Sequence, residues 1–346
     1  MTLKQKIVLT GGEGMIGRET QKLLRDLGYR VVTIDNMSRD PMRRPLSPYK
    51  DEHYLFDILD GGNYEAIVSA MSGAAAVINL AADVGGVGYN KANSPAIFGR
   101  NAGLQSIPVA AAQEAGVPTF IQISSACVYT PSEKPHFEYE PLRDPAPNNW
   151  GYTLAKRAGE EVALRAAFER CCILRPTNAF GKGDYYDDKA HVIPALIRRA
   201  AAPGPALVVK SPPDVVRSFA PASSVAQAIA AVLEKGEDGE IYNVSGFATR
   251  IGGLAGAILG RVDPDKRLIY QYDDVDTGED VRLLSGEKLA TIGGLGATIS
   301  EFEAALDAAV EEYMSGALQR TSLRLSDGAV IYSGPVTYTG SVEFGA

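Results

Sequence analysis

At 346 residues the chain is long enough to bury a substantial core, as one large or two modest domains, and 45% hydrophobic with 22% charged residues is ordinary globular composition. A net charge of −8 argues against a surface built to bind nucleic acid or an anionic membrane, while leaving room for a local basic pocket. Three cysteines, two of them adjacent at Cys171 and Cys172, form no disulfide framework, so the expectation is a reducing, cytoplasmic setting without signal peptide or membrane span.

Apolar, β-branched runs alternate with helical patterns through the first half. Residues 6–10, 30–35, 53–56, 76–80, 119–124 and 171–175 read as strands, nearly continuous in apolar residues as strands covered on both faces should be. Helical patterns lie between them at 15–27, with Gly28 as the stop signal, and at about 63–71, 92–115 and 152–168. This alternation predicts right-handed crossovers and an α/β fold, a Rossmann-type doubly wound parallel sheet.

After Gly181 the rhythm changes. A charged, tyrosine-rich loop at 182–189 leads into a helical run at 191–202, then a proline-rich stretch enclosing a strand-like piece at 207–210. Residues 223–234 and 240–244 suit one more helix and strand returning to the sheet; 251–259, 267–272, 285–292 and 300–314 suit a smaller C-terminal α/β substrate domain. The expected division is a dinucleotide-binding domain at 1–180, completed by about 216–245, and a substrate-binding domain at 181–215 and 246–318. The β-rich tail, 319–346, suits a hairpin or an oligomer arm better than a catalytic element.

Thr10-Gly11-Gly12-Glu13-Gly14-Met15-Ile16-Gly17 joins the first strand to the first helix. Gly11, Gly14 and Gly17 allow a tight turn, close approach of a pyrophosphate and close helix–sheet packing. The first helical N–H groups, around Met15 and Ile16, then face the phosphates. Asp35 ends the second strand, eighteen residues after Gly17. An acid there accepts hydrogen bonds from both ribose hydroxyls and repels a 2′-phosphate, so NAD is favoured over NADP. Arg18 and Arg39 temper that preference, because an arginine accommodates the extra phosphate. Asp57 and Ile58, after the third strand, and Ala81, after the fourth, complete the expected cofactor site; Asp57 reads equally as an adenine cap or a turn residue.

Two further motifs carry chemistry: Ser124-Ser125-Ala126-Cys127-Val128-Tyr129 and Tyr152-Thr153-Leu154-Ala155-Lys156. A tyrosine in water ionises at about 10. To serve as a base near neutrality it needs a positive neighbour, and Lys156 lies one helical turn away. Ser125 would donate a hydrogen bond to the oxygen being oxidised. Hydride chemistry explains Ser125, Tyr152 and Lys156 but not the thiol of Cys127. A spare acid/base beside a hydride site points to proton abstraction next to a carbonyl, although a free cysteine is most often a small buried hydrophobe. His53, His136 and His191 are scattered, so no metal site is indicated.

These residues resemble the extended short-chain dehydrogenase/reductase family and, more narrowly, its GDP-mannose 3,5-epimerases and GDP-fucose synthases. The resemblance spans about residues 5–315 and also rests on Asn79-Leu80-Ala81-Ala82-Asp83-Val84-Gly85-Gly86-Val87-Gly88, Arg175-Pro176-Thr177-Asn178 and His191-Val192-Ile193-Pro194-Ala195-Leu196. Residues 81–88 and the Ser-Ala-Cys are the specific stretches. The resemblance implies that Tyr152 and NAD oxidise C4 of a nucleotide-bound hexose, which acidifies the C3 and C5 hydrogens. Cys127 and a partner on the opposite ring face then move protons, and the hydride returns. It implies Lys189 as that partner in the epimerase and His191 in the synthase; this chain carries both, so the assignment stays open. It also implies Gly85, Gly86 and Val87 against the sugar, and Asn178, Arg217 and Arg282 at the diphosphate or nucleotide. Asn101 would support the catalytic helix, and the helices at 92–115 and 152–168 would form a homodimer.

There are departures. Arg217-Ser218-Phe219 is followed by Ala222-Ser223 instead of the valine–aspartate common in the family, and the loop 183–188 is unlike the relatives, which leaves the sugar open. A nucleotide-sugar 4-epimerase or 4-keto reductase is the alternative enzyme. A non-catalytic NAD-binding sensor is the alternative from another class, against which the intact Ser125, Tyr152 and Lys156 weigh. Dehydratases and decarboxylases need an acid where this chain has Ala126-Cys127.

Overall fold

The β-branched runs of the first half pair as parallel strands. The computed structural model describes residues 4–38, 53–130, 132, 134–142, 144–146, 148–272 and 283–315; Arg39, Arg282 and the tail 319–346 lie outside the described residues. Strands β1 (Lys4–Thr10), β2 (Tyr29–Asp35), β3 (His53–Leu55), β4 (Ala76–Asn79), β5 (Thr119–Ile123) and β6 (Arg170–Pro176) lie in one sheet. Helices α1 (Met15–Asp26), α2 (Tyr64–Met71), α3 (Val87–Glu114) and α4 (Trp150–Arg165) connect them. The chain continues through β7 (Asn178–Phe180), α5 (Val192–Ala201), β8 (Ala206–Val209), β9 (Val216–Pro221), α6 (Ala222–Lys235) and β10 (Ile241–Val244). It ends its described course with β11 (Phe247–Arg250), α7 (Ile251–Val262), β12 (Arg267–Tyr270), α8 (Glu287–Thr291) and α9 (Ile299–Met314).

The large sheet has the order β10-β6-β5-β4-β1-β2-β3, the Rossmann-like arrangement expected. Its order reverses between β1 and β4, and a crevice opens beyond the carboxyl ends of strands at such a switch point. Both faces are covered. Leu24 of α1 and Val225 and Ile229 of α6 pack on one side; Ile67 of α2, Val109 of α3 and Ala163 of α4 pack on the other. Each Val, Leu or Ile so buried contributes about 1.5–3 kcal/mol before entropy is charged against it. Cys171 and Cys172 fall on opposite faces of β6, and burial pushes their thiols up to about 12 and about 11.

A separate apolar cluster joins Ile197 of α5, Leu254 of α7 and Leu306 of α9 beside the β8/β12 pair and the three-stranded sheet β11-β9-β7. The strands β7, β9 and β11 go beyond the sequence-based expectation. β7 is three residues long, and β9, Val-Arg-Ser-Phe-Ala-Pro, ends in a proline, so neither shows a strand period. Helix α3 starts at Val87 rather than 92 and contains Pro95. Proline normally belongs to a first turn; here the two preceding turns are held by Asn90, which accepts from Gly85 N–H at 3.0 Å and donates to Asn149 Oδ1 at 2.9 Å. Among the described residues no helix is long and apolar enough to cross a membrane, and no group of three or more His, Cys, Asp or Glu is placed to hold a metal ion.

Candidate active site

A cleft of about 820 Å³ opens at the switch point. At one end lies the turn between β1 and α1. Gly11 has φ +66°, and a Cβ there would come within 2.8 Å of the Ala81 main chain; at Gly17 it would come within 2.3 Å of the Gly12 carbonyl oxygen. Gly14 caps α1 without any side-chain bond, and no acid occupies the first turn, so the helix terminus with Met15 and Ile16 faces the cleft ready for an anion. Asp35 accepts from the N–H of Glu13 at 3.0 Å and of Met37 at 2.8 Å. Burial pushes its carboxyl above the usual value, these two N–H groups pull it back, and the Glu13 charge adds to the rise. Asp57 and Ile58 also line the cleft, and the Asp57 carboxylate accepts from Leu59 N–H at 2.9 Å, the bond of a turn residue.

The middle of the cleft is walled by Ser125, Cys127, Tyr152 and Lys156. Ser125, two residues past the end of β5, caps a short helical turn and accepts from Cys127 N–H at 3.2 Å, which leaves its own hydroxyl proton to donate. Cys127 is half-buried. Tyr152 and Lys156 share a face of α4, with Nζ 5.7 Å from the phenol ring centroid. Lys156 is 2% exposed and donates to Gln105 Oε1 at 3.0 Å and the Ile123 carbonyl at 2.7 Å. Burial depresses its pKa to about 7, against the opposing pull of Glu160 and Cys127.

At the far end the segment after β4 meets the loop before α5. Gly86 N–H donates to the Lys189 carbonyl at 2.9 Å, and a Cβ on Gly86 would come within 2.6 Å of the Ala190 carbonyl oxygen. Gly85, Val87, Lys189 and His191 all line the cleft; Gly86 stands behind it. Lys189 Nζ sits 4.7 Å over the Tyr89 ring, and His191 occupies the N-cap of α5. Asn178 donates to the Ser218 carbonyl at 2.9 Å, Arg217 to the Val216 carbonyl at 3.0 Å, and both reach the cleft. Arg282 lies outside the described residues. Asn101, expected behind the catalytic helix, instead clamps Asp83: it accepts from the Asp83 N–H at 2.9 Å and donates to its carbonyl at 2.7 Å.

Two buried networks escape sequence reasoning. Thr10, Asn79 and Gln122, polar residues at the ends of apolar strands, continue through Gln105 to Lys156. Glu160, one turn after Lys156, accepts from Arg175 at 2.8 and 2.6 Å and from Ser124, while Arg175 reaches the Tyr129 hydroxyl at 2.8 Å. The loop bearing Ser125 and Cys127 is thus anchored at both ends. A buried polar residue closing each strand was the available signal. Arg100, which also lines the cleft, bonds Asp83 at 2.6 Å and was equally unforeseen.

A sequence model of the family described as NAD dependent epimerase/dehydratase matches residues 7–245. A putative GDP-L-fucose synthase 2 of Arabidopsis thaliana is 26% identical over 304 residues, 83% of this chain and 86% of its own. A GDP-mannose 3,5-epimerase of the same plant is 29% identical over 203 residues, 57% of this chain and 52% of its own. The UDP-glucose 4-epimerase of Thermotoga maritima, solved with UDP-glucose, shares 23% identity at a TM-score of 0.76, over 90% of this chain and 99% of that one; such identity speaks for the fold alone. With the family match running from β1 through β10, the chain belongs to the NAD dependent epimerase/dehydratase family, within the extended short-chain dehydrogenase/reductases.

Proposed function

We propose that the protein is an NAD-dependent nucleotide-sugar epimerase that oxidises C4, inverts C3, C5 or both through the 4-keto sugar, and re-reduces C4. The observation that carries this reading is the thiol of Cys127 in the same cleft wall as Ser125, Tyr152 and Lys156. The dinucleotide fits what is there: a glycine turn whose one side chain, Glu13, packs inward, an uncapped helix terminus and a ribose acid already held by two N–H groups. Gly11, Gly14, Met15, Ile16 and Gly17 would hold its pyrophosphate, Asp35 its ribose, Asp57 and Ile58 its adenine, and Ala81, Tyr152 and Lys156 its nicotinamide half. When bound, it supplies a hydride acceptor and donor.

The chain's own groups supply the rest. Tyr152 takes the C4 hydroxyl proton, and Ser125 donates to the same oxygen. Lys156, held by Gln105 and Ile123, orients the phenol and favours its ionised form whenever it is protonated. The ketone acidifies the neighbouring C–H groups; Cys127 removes one proton, and Lys189 or His191 returns one from the opposite face. Gly85, Gly86 and Val87 shape the sugar pocket by main chain, while Asn178, Arg217 and Arg282 take the diphosphate or nucleotide. In this reading residues 1–180 with about 216–245 hold the cofactor, and 181–215 with 246–318 hold the sugar nucleotide. The protein would work in the cytoplasm as a homodimer through α3 and α4, where Val162 is 41% exposed.

The test is incubation with GDP-mannose, UDP-glucose and related sugar nucleotides in deuterated water without added cofactor, followed by mass spectrometry and proton NMR. Deuterium at C3 or C5 without net NADH change is the expected result, and Cys127→Ala loses it. Inversion at C4 without deuterium overturns the thiol step. The longer match to the fucose synthase favours a second reading, epimerisation ending in net reduction of the 4-keto sugar, which consumption of NADPH would reveal.

A further inference from the structure

One side chain in the dinucleotide turn has no part in phosphate binding. Glu13, between Gly12 and Gly14, is turned inward until only 2% of it is exposed. Its Oε1 lies 2.8 Å from Nδ1 of His53 and accepts from Gln21 at 3.0 Å and from Thr33 at 3.2 Å. The His53 side chain is 1% exposed, on β3, directly opposite Thr33. Burial alone would raise the Glu13 carboxyl, but His53, then Gln21 and Arg18, outweigh it and hold it below the usual value. The residue is therefore a buried carboxylate at neutral pH.

Glu13 touches both groups that decide whether a ribose or a ribose phosphate is accepted. Its main-chain N–H donates to Asp35 Oδ2 at 3.0 Å. Its carbonyl accepts from Arg18 Nε at 2.9 Å, and its Oε2 lies 3.7 Å from the Arg18 guanidinium. We propose that Glu13, held by His53, is a specificity-determining residue that selects the unphosphorylated dinucleotide. It fixes the Asp35 carboxylate, sets a second negative charge behind it, and engages the arginine that would otherwise meet a 2′-phosphate. The inference rests on the NAD reading above and deepens it.

The full-length protein and its variants are titrated with NADH and NADPH, followed by nicotinamide fluorescence, and the ratio of the two dissociation constants is taken within each variant. General loosening of the turn weakens both ligands and leaves that ratio in place. In the wild type NADH binds more tightly. Glu13→Gln narrows the ratio about tenfold, the size of one charge pair in a partly solvated cleft, and Arg18→Ala added to it restores the preference. Arg18→Ala alone, at a more exposed side chain, widens the ratio and serves if Glu13→Gln does not fold. A ratio unmoved by these variants in a protein that prefers NADH overturns the proposal. A wild type that prefers NADPH overturns the cofactor reading and the proposal with it.

Discussion

At the dinucleotide end of the cleft the main chain sets the shape: Gly11 lies against Ala81 with no room for a methyl group, and two N–H groups fix Asp35. At the sugar end the main chain at Gly85 and Gly86 is joined by side chains from helix, strand and loop, with Lys189 over Tyr89 of α3, Arg100 of α3 on Asp83 and Asn178 of β7 on Ser218. The first end tolerates almost any side chain that points away and no added atom that points in. The second can change its ligand by substitution at those side chains, outside the tightly packed Gly85 and Gly86.

Five substitutions test this contrast, from the largest expected effect to the smallest. Tyr152→Phe, at the junction, removes the proton acceptor and lowers kcat about a thousandfold, while the dissociation constants of NADH and sugar nucleotide stay close to wild type. Lys156→Met exposes the cost of burying an amine. Below pH 7 Lys156 is protonated in both the folded and unfolded chain, and the fold bears the full desolvation. Between about 7 and 10.5 the folded chain binds fewer protons, so wild-type stability rises with pH relative to the variant. Urea unfolding should show the variant's relative stability falling by about 4 kcal/mol from pH 6 to pH 10.5.

Glu160→Gln leaves the Arg175 charge buried beneath the Ser125–Cys127 loop and should cost about 3 kcal/mol of stability in the same assay. Gly11→Ala should cost about 2 kcal/mol and weaken NADH binding together with it, because one contact serves both. Arg217→Ala should raise KM for the sugar nucleotide about tenfold and leave the melting temperature unchanged. If Gly11→Ala weakened the cofactor without moving stability, or Arg217→Ala destabilised the chain, the contrast between the two ends would fail.

The same contrast governs how much could be read in advance. The glycine turn, Asp35 and the Tyr152–Lys156 pair are legible because each is local: a strand end, a turn, one helical step. The sheet was legible for the same reason, through β-branched runs and their spacing. The sugar end depends on contacts such as Lys189 with Tyr89, one hundred residues apart, and no periodicity announces those. Asn101 shows the limit clearly. Its presence on the helix after β4 was legible, but whether it held α4 or Asp83 depended on how far that helix extended, and Pro95 concealed its first two turns. β7 and β11 are too short to show a period and β9 lacks one and ends in a proline, while the Glu160–Arg175 pair was hidden because its partners belong to a helix and a strand that meet only in the folded state.

The placement of the three thiols has a practical outcome. Cys171 and Cys172 are sealed in the two faces of β6, with their ionisation pushed far above neutrality, while Cys127 sits half-buried in the cleft wall. A soluble alkylating reagent near pH 8 should therefore add once to the native chain and three times after denaturation, as counted by intact mass. Anything that fills the sugar end should slow that single addition. The chain thus carries a built-in occupancy gauge, by which a library of candidate ligands could be ranked before any turnover assay exists.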